Sequence, residues 1–321
     1  MPTMRLANAL GAGPLRGPLR GLSVWQGEQI SDPRHWSLAL DKALLSKLRA
    51  HLKHRAAGKE SPAGRQFRWP AALVNRIDRQ LYRRRGLIVL KGFPVGAHDE
   101  DAVGALYWEL GLRIGTPLVQ NEAGDRLYPI RDEGYEGSAD KPVLTSKTSV
   151  ALPFHTDNIE GTDIFSMLAV RSAKRGGASQ FVCAKALYNL MLERHPRELQ
   201  RLFKPFYFDR SLLPGERQGK LVRVPIFAWN GDELTVCYNR QRFARGFTLA
   251  NVTPKDIDRA ALECFEACLS APELALSFDL EPGDMLFANN RTMLHRRTAF
   301  VDYSDRRRGR LMLRLLLTRH S

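Results

Sequence analysis

Three side chains carry the chemistry most easily read from this chain. His155 and Asp157 lie in Leu-Pro-Phe-His-Thr-Asp, and His295 closes Asn-Asn-Arg-Thr-Met-Leu-His far downstream. Two imidazoles and one carboxylate on one face of a metal leave the opposite face open, which is the ligand set of non-haem Fe(II) oxygenases. The same trio would also serve a zinc hydrolase. His-x-Asp alone is a weak signal, since a surface or hydrogen-bonded histidine explains it equally well.

The elements around these residues raise the odds of a metal site. In a strand, positions i and i+2 face the same side, so a strand entering at Pro153 and Phe154 presents His155 and Asp157 together. A third ligand must come from a distant strand. The turn Pro282-Gly283-Asp284 and the strand after it are suited to deliver His295. The other histidines lack such company: His51 and His54 lie on a basic helical stretch, His195 sits beside Pro196, and His35, His98 and His320 have polar surroundings.

Apolar periodicity predicts helices over 36–54, 71–82, 101–111 and 186–195. Thr253-Pro254 predicts another, reaching Leu269, with Thr253 as N-cap. Gly86–Pro94 reads as a buried strand, and Gly115-Thr-Pro117 as a turn. Phe165–Val170 and Gln180–Cys183 read as partner strands about the turn Lys174–Gly177. Asn230-Gly231 marks a hairpin between 225–229 and 234–238. Leu274–Leu280, Met285–Ala288 and Arg310–Leu317 read as further strands. Short strands through the C-terminal two-thirds imply a jelly-roll-type barrel with N-terminal helices packed outside it.

Composition excludes several classes. A chain of 321 residues with 44% hydrophobic residues can bury a large core. No apolar run approaches the roughly 20 residues that span a bilayer; Arg314 interrupts the longest, Leu311–Leu317. Residues 1–22 contain Arg5, Arg16 and Arg20 and no acid, and read as a flexible basic tail. Pro14 and Pro18 spoil the amphipathic helix of a transit peptide. Residues 23–321 read as one domain. Cys183, Cys237, Cys264 and Cys268 have no zinc-ribbon spacing and suit a reducing, cytoplasmic compartment. The net charge of +15 is spread along the chain, with clusters at Arg83–Arg85 and Arg306–Arg308. No nucleic-acid-binding signature accompanies it. A basic surface would instead attract a small anionic substrate, free or bound to a carrier protein.

From about Gly86 onward the sequence resembles the TauD/TfdA-like, or clavaminate-synthase-like, Fe(II)- and 2-oxoglutarate-dependent dioxygenases. The resemblance rests on residues 152–157, Lys174-Arg-Gly-Gly-Ala-Ser179, Pro282-Gly-Asp-Met-Leu-Phe-Ala-Asn-Asn290, Leu294-His-Arg-Arg-Thr-Ala-Phe300 and Arg310-Leu-Met-Leu-Arg-Leu315, in matching order and spacing. It implies a double-stranded β-helix, or jelly roll, with additional helices, an α+β and mainly β fold. It implies Fe(II) on His155, Asp157 and His295, and the distal carboxylate of 2-oxoglutarate on Arg310. A guanidinium suits that carboxylate because it binds bidentately in a desolvated site. Ser179 takes the place of the family's usual threonine. Arg314, on the same face as Arg310, is a substrate-contact candidate, as are Gln120, Asn121 and Asn158.

The implied reaction consumes O₂ and 2-oxoglutarate, releases succinate and CO₂, and hydroxylates an unactivated C–H of a small anionic or amino-acid-like metabolite. Desaturation or cyclisation is the alternative outcome. Halogenases of this chemistry lack the carboxylate, so Asp157 argues for hydroxylation. A non-catalytic basic binding protein on the same barrel is the remaining alternative.

Overall fold

The computed structural model describes residues 17–56, 66–96, 98–134, 147–157, 160–210 and 221–320. It is a mixed assembly of sheets and, among the described residues, seven α-helices. The larger sheet runs in the order Ser37–Ala39, Leu87–Lys91, Met285–Asn289, Ile164–Arg171, Leu311–Arg319 and Gly115–Pro117; Leu127–Ile130 also pairs with Leu311–Arg319. Only its first pair is parallel. The smaller sheet is antiparallel, in the order Leu276–Phe278, Ser179–Cys183, Met293–Arg297, Leu152–His155.

Side-chain alternation sends the two faces of the larger sheet to different cores. Leu168, Val170, Phe287, Leu313 and Leu315 join Leu48, Ile77 and Leu106 of the helices Lys42–Ala56, Ala71–Arg83 and Glu100–Ile114. Phe165, Met167, Leu286, Met312 and Leu316 point the other way, into a core with Phe181 and Leu294 of the smaller sheet. The helical layer sits close to the sheet. A Cβ at Gly111 would lie 2.5 Å from the Leu315 side chain, so the absent side chain permits the approach. This leaves Arg310, Met312, Arg314 and Leu316 on the face turned toward the smaller sheet.

Several expected elements shift. The first long helix begins at Lys42 rather than Trp36, because Ser37–Ala39 is drawn into a parallel edge pair with Val89–Lys91 and Asp41 caps Leu44 N at 2.8 Å. Gly115–Pro117 is an edge strand, not a turn. Ser179–Cys183 does not pair with Ile164–Arg171; the chain crosses to the other sheet, where Met293–Arg297 is its partner. Pro196 stops one helix and starts the next, Pro196–Leu202, because proline is compatible with a first turn. Thr253 does not cap the late helix. That helix is Asp256–Leu269, and Asp258 accepts Lys255 N at 3.0 Å. The helix Arg240–Leu249 gave no clear periodic signal. The Asn230-Gly231 hairpin forms as expected, with Phe227↔Val236 in register and Gly231 at φ +105°.

No described helix is long and apolar enough to cross a membrane. Residues 17–22, within the expected tail, are held in part: Asn189 accepts from Leu19 N at 2.7 Å and donates to Leu19 O at 2.8 Å. Residues 1–16 lie outside the described residues.

Candidate metal and cosubstrate site

His155 ends its strand directly opposite His295, with which it is in antiparallel register. Their rings are 4.4 Å apart. Phe165, reaching across from the larger sheet, stacks on His295 at 4.2 Å and 18°, which fixes the plane of that imidazole. His155 Nδ1 is 2.9 Å from Pro153 O. A proton on Nδ1 donated to that carbonyl leaves the Nε2 lone pair for a metal.

Asp157 lies just beyond the strand and needs separate support. Asn290 supplies it. Its Oδ1 accepts Asp157 N at 2.9 Å, and its Nδ2 donates to Asp157 O at 2.8 Å and Thr162 O at 3.2 Å. The intervening Thr156 turns away and is bound to Tyr238, with its amide donating to Tyr238 O at 2.8 Å. Donor atoms of His155, Asp157 and His295 thus lie within 4.8 Å of one another.

The electrostatics favour metal-ready protonation states. Burial, then the neighbouring His295, lowers His155 to about 4, so its imidazole is neutral at ordinary pH. Burial alone would raise Asp157, but the His295 contact and the Arg314 guanidinium outweigh it and hold the carboxyl below its usual range. His295 Nε2 is 3.3 Å from Asp157 Oδ2. The contact is an electrostatic one, and Oδ2 is buried with no hydrogen bond of its own among the described residues. An orphaned buried carboxylate oxygen facing two imidazoles fits a cation.

The expected cosubstrate arginine is also buried. Arg310 is 4% exposed, and its guanidinium lies over Phe300, 5.2 Å from the ring centroid. Its backbone amide is held by the Asp302 carboxylate at 2.9 Å. Burial, then Arg297, lowers it to about 10, and its Nη1 has no hydrogen-bond partner among the described residues. The nearby Asp302 charge offsets burial only in part, and a buried guanidinium donor without a hydrogen bond is costly, so a bound dianion would relieve it. Gly177, at φ +83°, abuts it: a Cβ there would lie 3.6 Å from Arg310 Nε. Ser179 is two residues on, in register with Arg297.

Arg314 is used differently. Its Nε donates to Gln120 Oε1 at 2.7 Å and its Nη1 to Asp157 Oδ1 at 3.4 Å. Gln120 in turn donates to Arg126 O and Arg314 O. Arg314 and Gln120 therefore brace the Asp157 carboxylate. Asn121 is occupied in its own loop, where its side chain bonds Asp125 at 2.7 Å. Asn158 lies outside the described residues.

The sequence reading missed two residues here. Asn290 was visible within the 282–290 segment, but nothing local marks an asparagine as a clamp on a residue 133 positions away. Arg297, 8% exposed, donates to the carbonyls of Thr148 and Val150 and packs over Phe300 at 4.7 Å. It ties the segment leading to His155 onto the His295 strand. Its position two residues past His295, on the same strand face, was the available signal.

The family model for "Taurine catabolism dioxygenase TauD, TfdA family" matches residues 46–316. FR-33289 synthase of Streptomyces rubellomurinus is 29% identical over 301 residues, covering 91% of this chain and 87% of the relative. A taurine hydroxylase-like protein of Stachybotrys chartarum is 24% identical, covering 94% and 80%. Among solved structures, asparagine oxygenase in complex with Fe(II), 3-hydroxyasparagine and succinate superposes with a TM-score of 0.66 at 19% identity, covering 88% and 93%. The non-haem iron oxygenase OrfP with Fe and α-ketoglutaric acid gives 0.61 at 16%, covering 88% and 94%.

Proposed function

Because the chain belongs to the TauD/TfdA dioxygenase family, we propose that His155, Asp157 and His295 hold Fe(II) and that Arg310 binds the distal carboxylate of 2-oxoglutarate. The protein is a 2-oxoglutarate-dependent dioxygenase, with Fe(II), 2-oxoglutarate and O₂ as its requirements. The two sheets are read as the walls of a double-stranded β-helix, and residues 23–321 as one domain. The observation that carries the site assignment is a pair of buried atoms with no hydrogen bond among the described residues, Asp157 Oδ2 within the donor cluster and Arg310 Nη1.

Bound Fe(II) with 2-oxoglutarate and O₂ supplies the oxidant, with succinate and CO₂ as by-products. The chain's own residues do the rest. Pro153 O holds the His155 tautomer, Phe165 holds the His295 plane, and Asn290 with Arg314 holds Asp157. Phe165, Phe181 and Met312 line the interior with apolar surface and keep water from the reacting C–H. Ser179 is assigned a hydroxyl donor role toward the cosubstrate.

The substrate is proposed to be a small anionic or amino-acid-like metabolite that undergoes hydroxylation. Support comes from asparagine oxygenase, whose complex contains 3-hydroxyasparagine, and from OrfP, solved with 3-hydroxyarginine. Retention of Asp157 favours hydroxylation over halide transfer. The test is Fe(II)- and O₂-dependent succinate formation, stimulated by candidate substrates, with products weighed by mass spectrometry. Full turnover by the His295→Ala variant would overturn the assignment.

A further inference from the structure

A second group of donors lies where the helices Ala184–Arg194, Pro196–Leu202 and Asp256–Leu269 pack together. His195 joins the first two helices, Glu198 is in the second and Cys264 in the third. The His195 ring, the Glu198 carboxylate and the Cys264 thiol bring one nitrogen, one oxygen and one sulfur within 4.8 Å of one another. All three residues are half-buried.

Neither His195 nor Glu198 is used in capping. His195 stands at the N-cap of Pro196–Leu202, where a serine or aspartate would accept from the first turn, but its side chain makes no such bond. Glu198 occupies the position from which a capping glutamate reaches back to the N-cap amide. That amide instead donates to Met191 O at 2.8 Å. At i and i+3 the two side chains share one helix face. They meet Cys264 on the flank of a helix whose Ala261, Phe265 and Cys268 fill the core. No hydrogen bond or ion pair among the described residues engages the ring, the carboxylate or the thiol. Burial, then Glu198 and Glu263, pushes the Cys264 thiol up, so the local field is negative and favours a cation.

We propose that His195, Glu198 and Cys264 form a Zn²⁺ site, separate from the iron trio, that staples the helix Pro196–Leu202 to Asp256–Leu269 with water as fourth ligand. Bonds of about 2.0–2.3 Å to a tetrahedral centre put donors roughly 3.3–3.8 Å apart, so side-chain rotation of about an ångström closes the cluster. Thiolate and imidazole select zinc over hard cations. Binding releases the Cys264 proton to solvent. The same helices are already joined once, where Arg201 Nε donates to Asp258 Oδ1 at 2.5 Å. The metal would join them again at the other end of the shorter helix. The site is independent of the iron-site reading.

The test uses the full chain, stripped with a chelator and titrated with Co²⁺ alone. Cobalt bound through a thiolate shows a near-ultraviolet charge-transfer band, which His155, Asp157 and His295 cannot give because none is a thiol. The band should saturate at one equivalent, persist in His295→Ala and Cys237→Ser, and vanish in Cys264→Ser. Added Zn²⁺, which binds such ligands more tightly than cobalt, should erase it. In a His295→Ala background, competition against a chromophoric chelator should show His195→Ala and Glu198→Gln weakening Zn²⁺ about tenfold or more, since even outer partners of a metal ligand are worth about 10- to 100-fold. A wild-type chain with no band, a band that survives Cys264→Ser, or Zn²⁺ affinity unchanged by His195→Ala or Glu198→Gln overturns the proposal. Should Cys264→Ser not fold, wild-type protein is alkylated with iodoacetamide, with and without Zn²⁺, and mapped by mass spectrometry. Protection of Cys264 by Zn²⁺ supports the proposal, and equal alkylation overturns it.

Discussion

Arg310 and Arg314 stand four residues apart on one face of the last strand's path, yet their surroundings make them opposites. Arg310 is buried against Phe300, and its Nη1 has no hydrogen-bond partner among the described residues. Arg314 is bonded through Nε to Gln120 and through Nη1 to Asp157. One guanidinium keeps a buried donor without a hydrogen bond among the described residues; the other serves a resident carboxylate. Residue type and spacing are shared, and the difference comes from what the neighbouring strands bring alongside. Leu127–Ile130 and the loop before it carry Gln120 to Arg314, while the 297–302 segment surrounds Arg310 with a ring and a second buried guanidinium.

The contrast is most sharply tested by removing each charge. Arg310→Met should weaken 2-oxoglutarate binding about 100-fold, as loss of one partner from a buried ion pair does. Metal-free protein carrying the same change should be more stable by about 1 kcal/mol or more, because an uncompensated buried charge is replaced by a packed apolar chain. A fall in melting temperature would break the comparison. Arg314→Met should move stability the other way, by about 1–3 kcal/mol, since Gln120 Oε1 and Asp157 lose a donor. Chemical denaturation of both variants compares the signs directly.

Smaller effects probe the support of Asp157. Asn290→Ala should lower Fe(II) affinity about 10- to 100-fold, the usual result of losing an outer partner of a metal ligand. Arg314→Lys, which keeps a charge but loses the fork, should fall below that. Equilibrium metal titration of each variant gives the order, and unchanged affinity in Asn290→Ala would remove its clamp role.

The smallest effect concerns pH. His155 is lowered from 6.5 to about 4, so the folded chain disfavours its protonated form. Its contribution to stability is therefore full above pH 6.5 and is lost as pH falls through about 4. Asp157, also lowered, acts in the same direction at still lower pH. Protonation of His155 should therefore take no part in any loss of metal uptake between pH 7 and 6, so His155→Gln should leave the shape of the uptake profile over that interval unchanged. Uptake measured across that interval settles the matter.

The strands and the cluster of His155, Asp157 and His295 were legible because they follow rules of identity and spacing. Short apolar runs marked the buried strands, Asn230-Gly231 marked its hairpin, and His-x-Asp ahead of a distant His marked the candidate donors. Partnership was less legible. Phe165–Val170 and Gln180–Cys183 look like a hairpin in sequence, but each buries its apolar face in a different sheet. Thr253-Pro254 looks like a helix start, but Asp258 captures Lys255 N one turn later. Local patterns rank such alternatives closely, and long-range packing decides among them.

By itself the sequence determined the donor types, their order and the family they resemble, since these depend on identity and spacing alone. Tertiary structure decided which arginine is spoken for. It put Asn290 on both the amide and the carbonyl of Asp157 and set Arg314 against that carboxylate. A side chain's charge is written in the sequence, but its partner depends on which strands and helices meet. That is fixed only when the two sheets close over a common core.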